Sequence, residues 1–308
     1  MPLTIGKMLA CLGLGFGLLF TASPIAAQTG PMAAPPAAAP FKIGALSAWS
    51  LHDAQFAAPN DGSTFGVGEP PAAVAEVLRK AGAPTDRIVV SVNVLLVKTP
   101  GHVVLFDTGL GPGLHGGMMS SLALAGVRPA DVTDILITHS HGDHVGGLVT
   151  SDKSLAFPNA TIRMSTAEWA WMKTKAATLA AVITPKVVPF APGGLVLPGV
   201  TSVSLPGHTP GHVGYRIVSG RDHLFDFGDI AHSSIVSLAR PDWKIRFDND
   251  QDEGRTQRRS ELTRLAAAGA PVFAPHFPYP GLGKIVPSGD GFIWRPEIMM
   301  WPAAANQK

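Results

Sequence analysis

The sequence predicts an α+β fold, and three observations predict it. Two stretches read as β-hairpins. Arg87 to Lys98 returns through Val103 to Asp107 across Thr99-Pro100-Gly101-His102, and Val213 to Ser219 returns through His223 to Phe227 across Gly220-Arg221-Asp222. Helix-type segments alternate with these hairpins, so the chain falls into two hairpin-and-helix halves. Between the halves, Val132 to Thr138 (V-T-D-I-L-I-T) is β-branched and apolar, the pattern of a buried strand. At 308 residues, 46% hydrophobic and 15% charged, the chain can bury a large core.

Taken in order, residues 1–27 have the parts of a secretory signal peptide. Lys7 is a thin positive region, Met8 to Phe20 is apolar, Ser23-Pro24 breaks the run, and Ile25-Ala26-Ala27 offers small residues at a cleavage point. The apolar run has 13 residues, short of the roughly 20 that span a bilayer. Cleavage and export, to a bacterial periplasm, are therefore expected, with no membrane attachment afterwards. Cys11 is the only cysteine, so the mature chain would have no disulfide and no thiolate ligand. Gln28 to Pro40 reads as an Ala/Pro tether, extended or disordered, leaving residues 41–308 as a single domain.

Phe41 to Ser50 reads as a first strand and Leu51 to Gly68 as irregular chain, with His52 an ordinary loop histidine. Pro70 and Pro71 open a helix that ends at Gly82. His102 reads as a solvated turn residue, and the glycine-rich stretch Gly109 to Gly117 as a loop free to move over a site. Ser165 and Thr166 read as a helix cap with Glu168 in the first turn. That helix carries Trp169 and Trp171, candidates for a pocket wall. Asp248 to Ala268 contains a surface helix whose arginines read as a solvated face. Pro271 to Ala274 reads as a short strand and Phe292 to Pro296 as a closing strand. A net charge of +2 and the lack of a basic stretch interleaved with aromatics give no reason to expect a nucleic-acid partner.

The chemistry is concentrated in Ile137 to Gly147, I-T-H-S-H-G-D-H-V-G-G. His139, His141, Asp143 and His144 fall at the end of the predicted central strand. Residues two apart on an extended chain point the same way, so His139 and His141 can hold one ion together. Gly142 allows a sharp turn, after which Asp143 and His144 face a second ion. Three imidazoles and a carboxylate packed at one strand end would repel or stay unsatisfied without a cation, and zinc favours such donors. Mn2+, Co2+ and Fe2+ accept the same donor types.

This stretch resembles the HxHxDH signature of the metallo-β-lactamase superfamily. Gly207-His208-Thr209-Pro210-Gly211-His212, Phe227-Gly228-Asp229-Ile230 and Ala274-Pro275-His276 match that family's later motifs in the same order. The resemblance runs from about Phe41 to Trp294. Segments 228–232 and 274–283 look most like methyl parathion hydrolase and its lactonase-like relatives. The resemblance implies a four-layer αββα sandwich, two facing mixed β-sheets with helices outside. It also implies two metal ions, the first on His139, His141 and His208, the second on Asp143, His144 and His276, with Asp229 bridging. Asp143 and Asp229 are then the catalytic carboxylates. Asp107 would support the ligand histidines from behind, and His212 would be structural, packed behind its loop. His232, Trp169, Trp171 and Phe277 are the candidate pocket residues.

The expected reaction is hydrolysis of a lactone, aryl ester or phosphotriester by a hydroxide held between the metals. Apolar residues around the site favour a small, uncharged, hydrophobic substrate, and relatives of this kind often form homodimers. A β-lactamase is the alternative on the same site, disfavoured by the missing cysteine ligand. A flavo-diiron oxidoreductase is disfavoured by the missing flavin domain. A non-catalytic, exported metal-binding protein is the alternative from a different class, disfavoured by the full ligand set. No G-x-S-x-G elbow points to a serine nucleophile.

Overall fold

The computed structural model of the chain describes residues 30–297; the expected signal peptide and Cys11 lie outside these residues. In chain order the elements begin with β1 (Gly30–Ile43), β2 (Leu46–Pro59), β3 (Phe65–Val67), α1 (Pro71–Lys80), β4 (Arg87–Thr99), β5 (His102–Phe106) and α2 (Met118–Leu124). They continue with β6 (Asp134–Leu136), α3 (Gly142–Val145), β7 (Thr161–Ser165), α4 (Thr166–Lys175), α5 (Ala177–Ile183) and β8 (Val187–Phe190). The second half comprises β9 (Leu195–Leu197), β10 (Val200–Ser204), β11 (Val213–Ser219), β12 (Asp222–Asp226), α6 (Val236–Ala239) and β13 (Lys244–Ile245). It closes with α7 (Gln251–Ala268), β14 (Val272–Phe273), β15 (Leu282–Ser288) and β16 (Gly291–Pro296).

Two seven-stranded mixed sheets result, ordered β1-β2-β4-β5-β6-β7-β8 and β16-β15-β14-β12-β11-β10-β9, while β3 and β13 pair separately. Strands β5 to β8 run parallel, and β12 with β14 is the parallel pair of the other sheet. Along β4, side chains alternate between two cores, as the pleat requires. Leu95 and Val97 face the second sheet with Phe106, Tyr215, Ile217 and Phe273. Val94 and Leu96 face outward, onto a core that includes Leu122, Met172 and Ile183 of α2, α4 and α5. On the far side, Leu262 and Leu265 of α7 cover Phe225, Val272 and Ile285. These are the four layers, with helices outside.

Several expectations change at the N-terminal end. The segment expected as a tether is mostly strand β1, paired with β2 from Gly30↔Ala57 to Ile43↔Leu46 with a register break between Ala33 and Ala37. Its prolines are tolerated because β1 is an edge strand, where a missing N–H costs no ladder bond. Phe41 to Ser50, expected as one strand, is split by a turn at Gly44-Ala45 into the end of β1 and the start of β2, and β2 then continues to Pro59 through chain expected to be irregular. His52 is therefore no loop residue; it is buried and stacked on Tyr279 at 4.8 Å. His102 is not merely solvated, since its Nδ1 lies 2.8 Å from Asp134 Oδ2. The glycine-rich loop is pinned, because buried Asp53 accepts the N–H groups of Leu110 (2.7 Å) and Met118 (2.8 Å). No helix among the described residues is long and apolar enough to cross a membrane.

Candidate metal centre

The site lies where the C-terminal ends of β5, β6, β10, β12 and β14 meet. Each end releases its chain into a loop carrying a chemical group: Asp107 after β5, His139 to His144 after β6, His208 after β10, Asp229 after β12, His276 after β14. Close backbone approach makes this convergence possible. A Cβ on Gly147 would lie 2.1 Å from the Thr108 carbonyl oxygen, so only glycine lets the histidine loop pack against the loop after β5.

Three imidazole nitrogens converge first. His139 Nε2 is 3.1 Å from His141 Nδ1, and His208 Nε2 is 3.1 and 2.9 Å from those two atoms. Donors about 2.0–2.1 Å from a tetrahedral zinc stand roughly 3.3 Å apart, so this spacing fits one ion. Asp143, His144 and His276 form a second group, with His144 Nε2 and His276 Nε2 3.3 Å apart. Asp229 reaches both: its Oδ2 is 3.3 Å from His208 Nε2 and 3.1 Å from His276 Nε2, and its Oδ1 is 3.3 Å from His144 Nε2.

The donor chemistry fits two divalent cations. Asp229 Oδ1 is buried without a hydrogen-bond partner, and so are both ring nitrogens of His232. Burial works against a charge on His208, but Asp229 and Asp248 outweigh it and raise its pKa to about 9. The carboxylates lift His144 and His276 in the same way against their burial. Burial, reinforced by positive neighbours, holds His139 well below the usual imidazole range and His141 down at about 3. The carboxylates thus demand positive charge, and His139 and His141 offer neutral lone pairs. A metal cation meets both conditions.

His144, His208 and His276 are each fixed by the other ring nitrogen. Asp107 Oδ2 lies 2.8 Å from His144 Nδ1, and the same carboxylate accepts the Thr138 N–H and hydroxyl. Asp107 holds a left-handed backbone (φ 62°) to do so, a conformation Asp tolerates better than most residues. His208 Nδ1 lies 3.0 Å from Asp248 Oδ1, and His276 Nδ1 donates to the Ser91 carbonyl at 2.8 Å. Such partners set the tautomer and aim the lone pair. His212 has none to offer a metal: Nδ1 donates to the Leu205 carbonyl and Nε2 accepts the Asp229 N–H, both at 2.9 Å. His212→Ala is expected to cost about 1–3 kcal/mol for each group left unsatisfied while both metals stay bound. Urea unfolding and metal analysis check this; a folded variant with one metal fewer would make His212 a ligand.

A cavity of about 420 Å³ opens over these groups; its lining combines His141, Gly142, Asp143, Asp229, His232 and His276 with Phe56, Val90, Arg246 and Phe247. His232 therefore faces the cavity. Phe277 does not: it is fully buried between Phe227 (5.6 Å) and Trp294 (4.9 Å), because the chain after Pro275 turns it into the core. Trp169 packs against the outer core beneath α4 rather than lining the cavity. Trp171 sits edge-on to His141 at 5.7 Å, outside the lining. Phe56, Val90, Arg246 and Phe247 carried no sequence signal; Phe56 and Val90 come from β2 and β4, and Arg246 and Phe247 from the turn after β13.

The family model described as the metallo-beta-lactamase superfamily matches residues 87–282. The chain belongs to the metallo-β-lactamase superfamily. Among solved structures of this fold, AidC, a dizinc quorum-quenching lactonase in complex with a product, N-hexanoyl-L-homoserine, is 30% identical with a TM-score of 0.81, covering 86% of this chain and 99% of that one. The hydrolase AbOPH of the beta lactamase superfamily is 26% identical with a TM-score of 0.77 over the same shares. YobT of Bacillus subtilis is 30% identical over 168 residues, 49% of this chain and 69% of that protein. Ribonuclease Z of Methanothermobacter thermautotrophicus is 40% identical over 63 residues, a match that spans only 19% of that protein. The protein is thus a metallo-β-lactamase-fold hydrolase with a donor set for two divalent metals.

Within this superfamily member, two supports of the site lie outside the matching motifs. Asp248, which backs His208, is itself held by Arg258 through Oδ2 at 3.1 Å. Arg258 is fully buried, so the expectation of a solvated arginine face on α7 fails at this position. Its neighbour Arg259 does fit that expectation, pairing with Asp242 at a 40% exposed side chain. Glu168, expected only as a first-turn helix acidic group, is also fully buried and reaches two ligand loops.

Proposed function

We propose that the protein is a dizinc hydrolase of lactones and related esters, with phosphotriesters as secondary substrates. The observation that carries this reading is the two-metal donor set opening directly into a cavity that Phe56, Val90 and Phe247 also line. The 30% identity to a dizinc lactonase over 86% of the chain supports the lactone assignment. Zinc bound at the two donor sets would supply Lewis acidity toward a carbonyl or phosphoryl oxygen and lower the pKa of a coordinated water. The chain's own residues do the rest. Asp107, Asp248 and the Ser91 carbonyl hold His144, His208 and His276 with their lone pairs aimed inward. Phe56, Val90 and Phe247 seat the apolar part of the substrate and exclude water. His232, whose Nε2 lies 3.2 Å from Asp229 Oδ2 and whose Nδ1 has no hydrogen-bond partner among the described residues, holds a substrate oxygen by a hydrogen bond.

A hydrolysis panel on metal-replete protein tests the reading: an acyl-homoserine lactone, a δ-lactone, a p-nitrophenyl ester, methyl paraoxon and a cephalosporin, each with a chelator control. Chelator-sensitive turnover led by a lactone or ester is the expected result. Dominant phosphotriester turnover would reverse the substrate ranking, and cephalosporin turnover alone would make the protein a β-lactamase. His232→Asn is expected to lower kcat/KM about 10- to 100-fold, the value of one hydrogen bond to a charged group, with both metals retained. Loss of a metal equivalent in that variant would instead place His232 among the ligands beside Asp229 and His276. We further propose that residues 1–27 direct export; N-terminal sequencing of periplasmic protein is expected to start at Gln28.

A further inference from the structure

We infer that Glu168 is a positioning residue that sets the ligand spacing of the first metal site by gripping both of its ligand loops with one carboxylate; this rests on the two-metal reading above. Oε1 accepts the Ser140 N–H at 2.7 Å and the Ser140 hydroxyl at 2.6 Å. Oε2 accepts the Thr209 hydroxyl at 2.6 Å and the Gly211 N–H at 3.2 Å. Ser140 lies between His139 and His141, and Thr209 follows His208. The two loops leave different sheets, one after β6 and one after β10. One side chain therefore spans the sandwich and touches a neighbour of every histidine of the first site.

An ordinary first-turn glutamate on a helix is exposed and interacts with its own N-terminus. Glu168 is instead 0% exposed, and no Lys or Arg among the described residues pairs with it. Its four accepted bonds fill the lone-pair capacity of a carboxylate. The cap residue completes the grip: Ser165 Oγ accepts the Glu168 N–H at 3.0 Å and donates to the Gly211 carbonyl at 2.7 Å. The approach is close enough that a Cβ on Gly211 would lie 2.1 Å from the Glu168 nitrogen. The second site has separate supports, Asp107 behind His144 and the Ser91 carbonyl behind His276.

Glu168→Gln tests this, because an amide keeps one acceptor oxygen but turns an NH2 group toward the donors of the other loop. Ser140→Ala and Thr209→Val remove one hydroxyl from each side and serve as milder variants if the glutamine variant does not fold. Zinc is titrated calorimetrically into apoprotein, and the cobalt-substituted proteins are compared by their visible spectra. The expected result is loss of about tenfold or more in affinity at one of the two sites, with a changed cobalt spectrum and the other binding step unaltered. Wild-type affinities and spectra in folded variants would overturn the positioning role, as would equal weakening of both sites. Failure of the wild-type protein to bind two metals would sink the underlying two-metal reading instead, which keeps the two failures distinct.

Discussion

Asp229→Ala is expected to lower kcat/KM by more than the roughly 10–100-fold that loss of an outer hydrogen-bond partner costs at a metal site, and to release at least one metal equivalent. Asp229 is the group within reach of both donor sets. Burial opposes its charge, but His144, His276, His139 and His232 outweigh that and hold its carboxyl well below the usual range. Alanine would leave these imidazoles facing one another without the anion that offsets both metals' charge. Metal content by mass spectrometry and steady-state kinetics on the same preparation check the expectation. Two tightly held ions and an unchanged rate would remove Asp229 from the bridging position.

Arg258→Ala is expected to destabilise the fold by about 3–5 kcal/mol, since it strips a buried charge pair of one partner. Arg258 donates to Asp248 Oδ2 from Nη1 at 3.1 Å, to the Pro241 carbonyl from Nε at 2.9 Å and to the Trp243 carbonyl from Nη2 at 3.2 Å. Without it, Asp248 keeps only His208, and two carbonyls lose a donor. The fall in Tm should be roughly 6–20 °C for a domain of this size. Arg259→Ala, one residue along, is the internal control. Its pair with Asp242 is solvent-exposed, so about 0–1 kcal/mol is expected. Urea and thermal unfolding of both variants give the comparison; equal, small effects would show that Arg258 is replaceable where it sits. The prediction also reaches the site, because Asp248 is what aims His208.

The cluster from His139 to His144 was legible because its spacing is a local property. His139 and His141 are two apart on extended chain, and the turn at Gly142 separates them from Asp143 and His144, so a short window of sequence already states the geometry. The hairpins and the helix cap at Ser165 were legible for the same reason. β1 was not, because an Ala/Pro run has no strand pattern of its own; pairing with β2 at the sheet edge makes it a strand. The strand read from Phe41 ends at Ser50 in the sequence because His52 and Asp53 are polar. Their burial becomes affordable only when Tyr279, Leu110 and Met118, all distant in sequence, arrive to stack or donate.

By itself, then, the sequence pointed to an α+β class through strand and helix patterns, and to the His139–His144 cluster through short spacing, both read from neighbouring residues. The remaining candidate ligands, His208, Asp229 and His276, came from the resemblance of their motifs to those of the superfamily. Only the tertiary structure decided which polar side chains are buried and what satisfies them. Arg258 and Arg259 are adjacent on one polar helix, yet one is sealed against Asp248 and the other is exposed. Glu168 has the sequence context of any helix start, and Phe277 follows a ligand motif as closely as His232 does. Their roles come from which sheet end, loop or core each faces after packing, and a buried charge or polar group persists only where that packing supplies its partners.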